Sequence, residues 1–218
     1  MDIYKKQKVF FKNAYKTGEH GWPTTEPTKD IVAYIKIAKK SIADKSNVTA
    51  LDVGCGEGRH SIVLARDGFK VNAIDLEPLA IKFAKGYATK AKVLNKIKFS
   101  TGNALNLHFP NRYFDIVVDC GCFHHILKKD WGRYFKNILT VLKDDGYFIT
   151  TIFSTEFKHT DDEKPRKNKW LTHRGHYDRF FTKNDIKATF GEYFHILKIK
   201  KEQGKNSKVF FHVLLRKI

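Results

Sequence analysis

The sequence predicts an α/β fold: a mostly parallel sheet covered on both faces by helices and finished by an antiparallel hairpin. Three observations predict it. Short apolar runs alternate with segments of helical period. Three glycines, Gly54, Gly56 and Gly58, stand between the first apolar run and the helical segment that follows. Two β-rich runs close the chain around a turn.

Taken in order, Thr28 to Ala43 carries Ile31, Ile35, Ala38 and Ile42 on one stripe with Lys36, Lys39 and Lys40 off it, which is the pattern of an amphipathic helix. Val48 to Val53 reads as a buried strand, Arg59 to Asp67 as a helix closed by Gly68, and Lys70 to Asp75 as a second strand. Pro78 opens the next helix, where a first-turn proline is tolerated, and Ala80, Ala84, Tyr87, Ala91 and Leu94 continue it. Ile97 to Thr101 and Phe114 to Asp119 are the third and fourth strands. Trp131 to Leu142 is a helix, and Asp145-Gly146 turns into the strand Tyr147 to Phe153. After a helix over Lys183 to Phe190, the runs Tyr193 to Lys200 and Lys208 to Arg216 form a hairpin about Gln203-Gly204-Lys205-Asn206, which completes seven strands. Ser154 to Arg179 is polar, basic and rich in histidine; it fits neither period, and loops of such length are functional or mobile.

The chain has 218 residues, 42% of them hydrophobic, with 18 Phe, 9 Tyr and 3 Trp, enough for one domain with a real core. Its 41 Lys+Arg against 23 Asp+Glu make a net charge of +18. Such charge suits a nucleic-acid binder, because lysines that neutralise phosphates release counterions. The lysines are scattered along the whole chain, however, which equally suits plain solvation. No apolar run approaches a membrane span and no signal-peptide segment follows the N-terminal Met1-Asp2-Ile3-Tyr4, so membrane and secreted readings are disfavoured. Three cysteines make no disulfide framework and fit a reducing cytoplasmic setting.

The chemistry concentrates in Leu51-Asp52-Val53-Gly54-Cys55-Gly56-Glu57-Gly58-Arg59. Glycines between a strand and a helix let a ligand approach the backbone and expose the amides of the helix N-terminus. Gly58 follows Gly56 by two residues rather than three, which departs from the dinucleotide fingerprint and argues against a pyrophosphate. Asp75, at the end of the next strand, stands where a carboxylate accepts hydrogen bonds from ribose hydroxyls.

These residues resemble the class I S-adenosylmethionine-dependent methyltransferases over Asn47 to about Phe153. The resemblance rests on Asp52-Val-Gly-Cys-Gly-Glu-Gly58, Asn72-Ala-Ile-Asp75, Gly102-Asn103-Ala104, Phe114-Asp-Ile-Val-Val118 and Leu142-Lys-Asp-Asp-Gly-Tyr147. It implies a Rossmann-like three-layer sandwich forming a single methyltransferase domain over 1–218: an N-terminal helical cap over 1–46, a cofactor-binding core over 47–153, and a substrate loop and C-terminal hairpin over 154–218. S-adenosyl-L-methionine would be the cofactor and S-adenosyl-L-homocysteine the product. Gly54 and Gly56 would pass beneath the methionine portion with Cys55 and Gly58 beside them, Asp52 would position the ammonium, and Asp75 with Leu76 would hold the ribose. Asn103 and Ala104 would lie against adenine, Asn103 standing where many relatives carry Asp, and Cys120 completes the expected cofactor set.

The exit of the fourth strand, Asp119-Cys-Gly-Cys-Phe-His-His-Ile126, lacks the Pro-Pro-aromatic clamp of DNA and protein amide methylases and resembles the small-molecule branch, which includes thiopurine and tellurite-resistance methyltransferases. His125 is the candidate base or substrate contact, or alternatively a packed histidine, since imidazole exchanges protons near neutral pH. Cys120 and Cys122 stand on alternate residues and so face opposite ways, which makes them poor partners for a metalloid; no metal is expected. Trp22 would close the site, or simply pack. Arg174, His176 and Tyr177 are further candidates for the substrate side. The acceptor would be a small molecule reacting through sulfur, oxygen or nitrogen. An RNA acceptor, gripped by Lys164, Arg166, Lys167 and Lys169, is the alternative, and a non-catalytic cofactor-binding protein the third reading.

Overall fold

A computed structural model describes residues 2–22, 25–164, 166–204 and 207–218. Five parallel strands form its centre in the order β3 (Ile97–Thr101), β2 (Lys70–Asp75), β1 (Thr49–Val53), β4 (Phe114–Cys120) and β5 (Leu142–Ser154). Beyond β5, β9 (Val209–Lys217) runs antiparallel along Tyr147 to Phe153, and β8 (Phe194–Gln203) pairs antiparallel with β9. This is the mostly parallel sheet with an antiparallel C-terminal hairpin that the sequence predicts. Of the expected hairpin turn, Lys205 and Asn206 lie outside the described residues.

Alternation along the central strands sends side chains to two separate cores. Ala50, Ile116 and Val118 pack on one face with Ile31, Tyr34, Ile35 and Ala38 of α2 (Lys29–Ser41), Leu64 of α3 (Arg59–Arg66) and Ala84 of α4 (Pro78–Lys90). Leu51, Val53 and Val117 pack on the other with Tyr134, Phe135 and Ile138 of α5 (Trp131–Val141) and with Ile186 and Phe190 of α6 (Lys183–Phe190). β1 is buried along its whole length because helices cover both its faces, which is why its sequence reads as a continuous apolar run.

The structure corrects two expectations and adds a helix. The helix from Pro78 ends at Lys90, and Leu94 belongs to a short 3-10 turn, Leu94–Lys96, after the left-handed Lys92 breaks the helical path. Ile3–Thr17 is a helix of its own, α1, capped by the Asp2 carboxylate at Tyr4 N (3.3 Å) and stopped by left-handed Gly18. Ser154 to Arg179 is not wholly irregular: β6 (Trp170–His173) and β7 (His176–Phe181) form a hairpin. Arg174 (φ 47°) and Gly175 (φ 88°) make its two-residue turn, a left-handed pair that matches strand twist. β7 then joins β5 in parallel at Phe153 and Phe180, so the sheet has nine strands rather than seven.

Candidate functional site

The C-terminal ends of β1 to β5 open into one cavity of about 1590 Å³, at the edge where open α/β sheets bind ligands. On one side its floor is nearly all backbone. Gly54, Gly56 and Gly58 have φ of 65°, 54° and 81°, left-handed values that disfavour any other residue. A Cβ on Gly54 would stand 2.7 Å from Cys122 Cβ, and one on Gly56 would meet Tyr15 Oη at 3.0 Å. Asp75 braces this turn: Oδ2 accepts from Gly56 N at 2.8 Å, while Oδ1 accepts from Glu77 N at 2.9 Å. Burial pushes the Asp75 carboxyl up to about 6, partly offset by those backbone N–H groups.

Asp52 is buried and accepts from Ser61 Oγ at 2.6 Å; burial pushes it up to about 6 against the lowering effect of that hydrogen bond. His60 accepts from Thr28 N at 3.1 Å and is driven down by burial to about 3, so it is a neutral neighbour. Asn103 Oδ1 accepts from Leu105 N at 2.9 Å, so that amide holds its own turn and turns its NH₂ group outward from that contact. Two buried polar atoms on the cavity wall, Trp22 Nε1 and Glu57 Oε2, have no hydrogen-bond partner among the described residues. A backbone cradle that a Cβ would fill, one buried and one half-buried acid and two unsatisfied polar atoms fit a polar, nucleoside-bearing cation.

The other side of the cavity is aromatic and imidazole-rich. α1 lies across it, held by Gln7: Nε2 donates to His125 O at 3.2 Å and Oε1 accepts from Tyr177 N at 3.1 Å. Tyr4 Oη donates to Asp130 Oδ2 at 2.8 Å and accepts from Leu127 N at 3.1 Å, fixing the N-terminal end of α1 beside the same loop. Phe10 stacks on His176 with ring centroids 4.1 Å apart, and Phe11 meets His125 edge-on at 5.3 Å. His124 stacks on Phe153 at 3.7 Å, and burial holds it well below the ordinary imidazole range.

Of the residues singled out in the sequence, Asp52, Gly54, Cys55, Gly56, Asp75, Leu76, Asn103, Ala104 and Cys120 all line the cavity. So do Trp22, His125, Arg174 and His176. Gly58 lies behind the wall, where an added Cβ would meet Ala84 and Phe99 at 3.1 and 3.2 Å; its part is to start α3. Tyr177 is a correction. Its buried side chain stacks toward Trp170 and does not line the cavity, because alternation on β7 turns Tyr177 away from the face shown by His176; only its main chain reaches the site, through Gln7 and His125. Cys120 and Cys122 pack toward different cores, as alternation requires.

Sequence reading missed Gln7, Phe10, Phe11 and Tyr15, whose helix was not anticipated, and Asp178, which looked like one more acid in a polar stretch. The only signal for Asp178 was the alternation His176-Tyr177-Asp178 on what proves to be a strand.

Residues 50–146 match a family described as methyltransferase domain. An uncharacterized methyltransferase of Schizosaccharomyces pombe is 29% identical over 143 residues, covering 66% of this chain and 92% of that protein. Norajmaline N-methyltransferase of Rauvolfia serpentina is 35% identical over 92 residues, 42% of this chain and 31% of that protein. The crystal structure of Burkholderia thailandensis 1,6-didemethyltoxoflavin-N1-methyltransferase, with bound 1,6-didemethyltoxoflavin and S-adenosylhomocysteine, superposes with a TM-score of 0.76 at 20% identity over 98% of this chain and 88% of that one. The matched domain lies on the strand ends that build the glycine turn, so residues 50–146 form a methyltransferase domain, and S-adenosylmethionine is its methyl donor.

Proposed function

We propose that this enzyme transfers the methyl group to a sulfur, oxygen or nitrogen atom of a small molecule. One observation carries the reading: the donor-side turn and the aromatic chamber are a single cavity roofed by α1, large enough for a donor and a compact acceptor together. Ligand sites of about 300–1,000 Å³, mostly apolar with a few placed polar groups, are typical of small molecules. The names of Rauvolfia serpentina and Burkholderia thailandensis relatives, which are small-molecule N-methyltransferases, support the same class.

The donor supplies an already activated methyl group, so the protein's work is binding and alignment. Gly54 and Gly56 would admit its methionine portion against the backbone, with Cys55 beside them. Asp52 would face the ammonium, Asp75 and Leu76 the ribose, and Asn103 with Ala104 the adenine. Trp22 would cover the donor and exclude water. His125, His176 and Arg174 would meet the acceptor, in keeping with a division into an N-terminal cap, a donor-binding core and an acceptor-facing C-terminal part. Three free cysteines suit a reducing, cytoplasmic setting. Among the described residues no helix is long and apolar enough to cross a membrane.

The RNA alternative loses part of its footing. Arg166 pairs with Glu163 at 2.6 Å and lies over the Phe180 ring at 3.7 Å, and Lys169 is paired with Asp185 at 2.8 Å. Of the four cations on which that alternative rests, Arg166 is thus engaged inside the fold and Lys169 is paired at the surface. The test is methyl transfer from labelled donor to a panel of thiols, amines, halides and phenols, with bulk RNA in parallel. Label on a small acceptor, insensitive to salt, is expected. Label on RNA alone, falling steeply with salt, would overturn the reading.

A further inference from the structure

Behind the aromatic chamber sits a fully buried carboxylate ringed by imidazoles. Asp178 on β7 has His125 Nδ1 2.9 Å from Oδ1, and His159 Nε2 and His176 Nε2 at 3.0 and 3.2 Å from Oδ2. These approaches lie off the ideal hydrogen-bond line, so the hold is mainly electrostatic. Burial alone would raise the Asp178 carboxyl, but the three imidazoles more than reverse this and keep it well below the usual carboxylate range. It is an anion in the protein interior with three histidines as its nearest partners and the Arg166 guanidinium adding to the attraction.

The protons can be placed from the neighbours. His125 Nδ1 has two groups at 2.9 Å, Asp178 Oδ1 and the Tyr177 carbonyl, and both can only accept. Nδ1 therefore carries hydrogen, and the lone pair of the neutral ring is on Nε2. That atom makes no hydrogen bond among the described residues, is not sealed from solvent, and belongs to a ring that lines the cavity. The backbone of the same turn is fixed by Gln7 and by the Asp119 carboxylate, which accepts from Cys122 N and Phe123 N. A ring whose Nδ1 hydrogen-bonds the Tyr177 carbonyl beside a buried carboxylate, with Nε2 on the cavity, is a base whose orientation is set before any acceptor arrives.

We propose that His125 takes a proton from the acceptor during methyl transfer, that Asp178 is its positioning residue, and that the acceptor is a planar aromatic molecule bearing a phenolic O–H or a ring N–H. This rests on the small-molecule reading above and narrows it. The acceptor's O–H or N–H bond breaks, its proton goes to His125 Nε2, and its electron pair forms the bond to the methyl carbon. The carbon–sulfur bond breaks with its electrons on the departing sulfur. A thiolate would need no base, so an oriented one points away from thiols. The planar shape follows from the walls: Phe10 stacked on His176, with Phe11, His176 and Phe153 edge-on to His125 at 5.3, 5.7 and 6.0 Å. Such faces accept a flat ring readily.

The titratable groups around His125 are Asp178 and His176 on β7, His159 from the segment before it, His124 on its own turn and Asp119 at the end of β4. The probe is 4-nitrophenol added to protein loaded with S-adenosylhomocysteine, because its visible phenolate band reports proton transfer without turnover. Below the phenol's own ionisation range, wild type is expected to induce the phenolate band, and His125→Gln and Asp178→Asn to lose it while binding S-adenosylhomocysteine within about twofold of wild type. In turnover of phenols both variants should lose at least about 100-fold in kcat, the scale of general-base catalysis, with KM little changed. Asp178→Glu should restore part of the loss, and nitrogen NMR of His125 should show the proton on Nδ1 in wild type. Should Asp178→Asn not fold, His125→Gln and the wild-type NMR decide. Absence of the phenolate band in wild type, or thiols methylated equally by wild type and His125→Gln, would overturn the assignment and leave the methyltransferase reading standing. Stoichiometric Zn²⁺ binding that displaces the Nδ1 proton would also overturn it, making the cluster a metal centre. RNA as sole acceptor would instead remove the small-molecule reading beneath it.

Discussion

The two halves of the cavity are built in different ways. The half proposed for the donor is local: Asp75 reaches Gly56 across 19 residues and Glu77 across 2, and Asn103 holds Leu105 across 2. The half proposed for the acceptor is long-range: Gln7 reaches His125 across 118 residues and Tyr177 reaches Gln7 across 170. A backbone cradle at strand ends tolerates almost no substitution, whereas a chamber of side chains drawn from α1, the turn after β4 and β7 can be reshaped one residue at a time. The same scaffold can therefore keep its donor and change its acceptor.

The largest effect should separate the halves at once. Gly54→Val brings a side chain into Cys122 at a left-handed position and should abolish detectable S-adenosylhomocysteine binding in calorimetry, with backbone strain costing about 1–3 kcal/mol in a melt. Gly86→Ala, in α4 with nothing within 4 Å of the new methyl, should stabilise by about 0.5–1 kcal/mol and leave binding alone. If both glycines behave alike, the donor half is not a cradle.

Next in size is Asp75→Ala. Two hydrogen bonds to a charged acceptor, each about 1.5–3 kcal/mol, should go, so affinity for S-adenosylhomocysteine should fall by an order of magnitude or more. Unchanged affinity in the folded variant would remove the ribose role and leave Asp75 only as the brace of Gly56.

Acid should then pull folding and binding in opposite directions. Asp52 and Asp75 ionise near about 6 in the folded protein, above the roughly 3.9 of an unfolded aspartate, so between those values the folded state holds more protons. On their account stability falls as pH rises from about 4 to 6. Binding that uses their charged forms should strengthen from about pH 5 to 7, by roughly tenfold for each carboxylate. Asp52→Asn should flatten one of the two steps; titration calorimetry across pH that finds no slope at all would show that neither charge serves the donor.

Gln7→Ala tests the acceptor half alone. It leaves Tyr177 N without its partner and frees α1, so we expect a loss of about 1–3 kcal/mol, faster hydrogen exchange over Ile3–Thr17, and donor-product affinity within twofold. Loss of donor binding would mean that the two halves are coupled through the roof. The smallest change is Lys169→Gln, whose half-exposed pair with Asp185 should be worth about 0–1 kcal/mol and leave donor binding untouched.

The central strands, their order of appearance, α2 to α6 and the whole glycine turn were legible in the sequence, because period, glycine placement and strand-end acids are local properties of a few consecutive residues. Tyr177 was misread and Asp178 unread for one reason: alternation assigns faces only once a segment is known to be a strand, and residues 154–179 hid β6 and β7 under polar composition. α1 left few local signs because its apolar residues face a ligand cavity rather than a core, and few of its residues are buried. By itself the sequence determined the glycine turn and the strand-end acids beside it, which depend on backbone conformation and contiguous motifs. Only the tertiary structure decided which acid meets His125, which nitrogen of that ring is bare, and what roofs the acceptor, because each depends on side chains that the chain brings together from more than 50 residues apart.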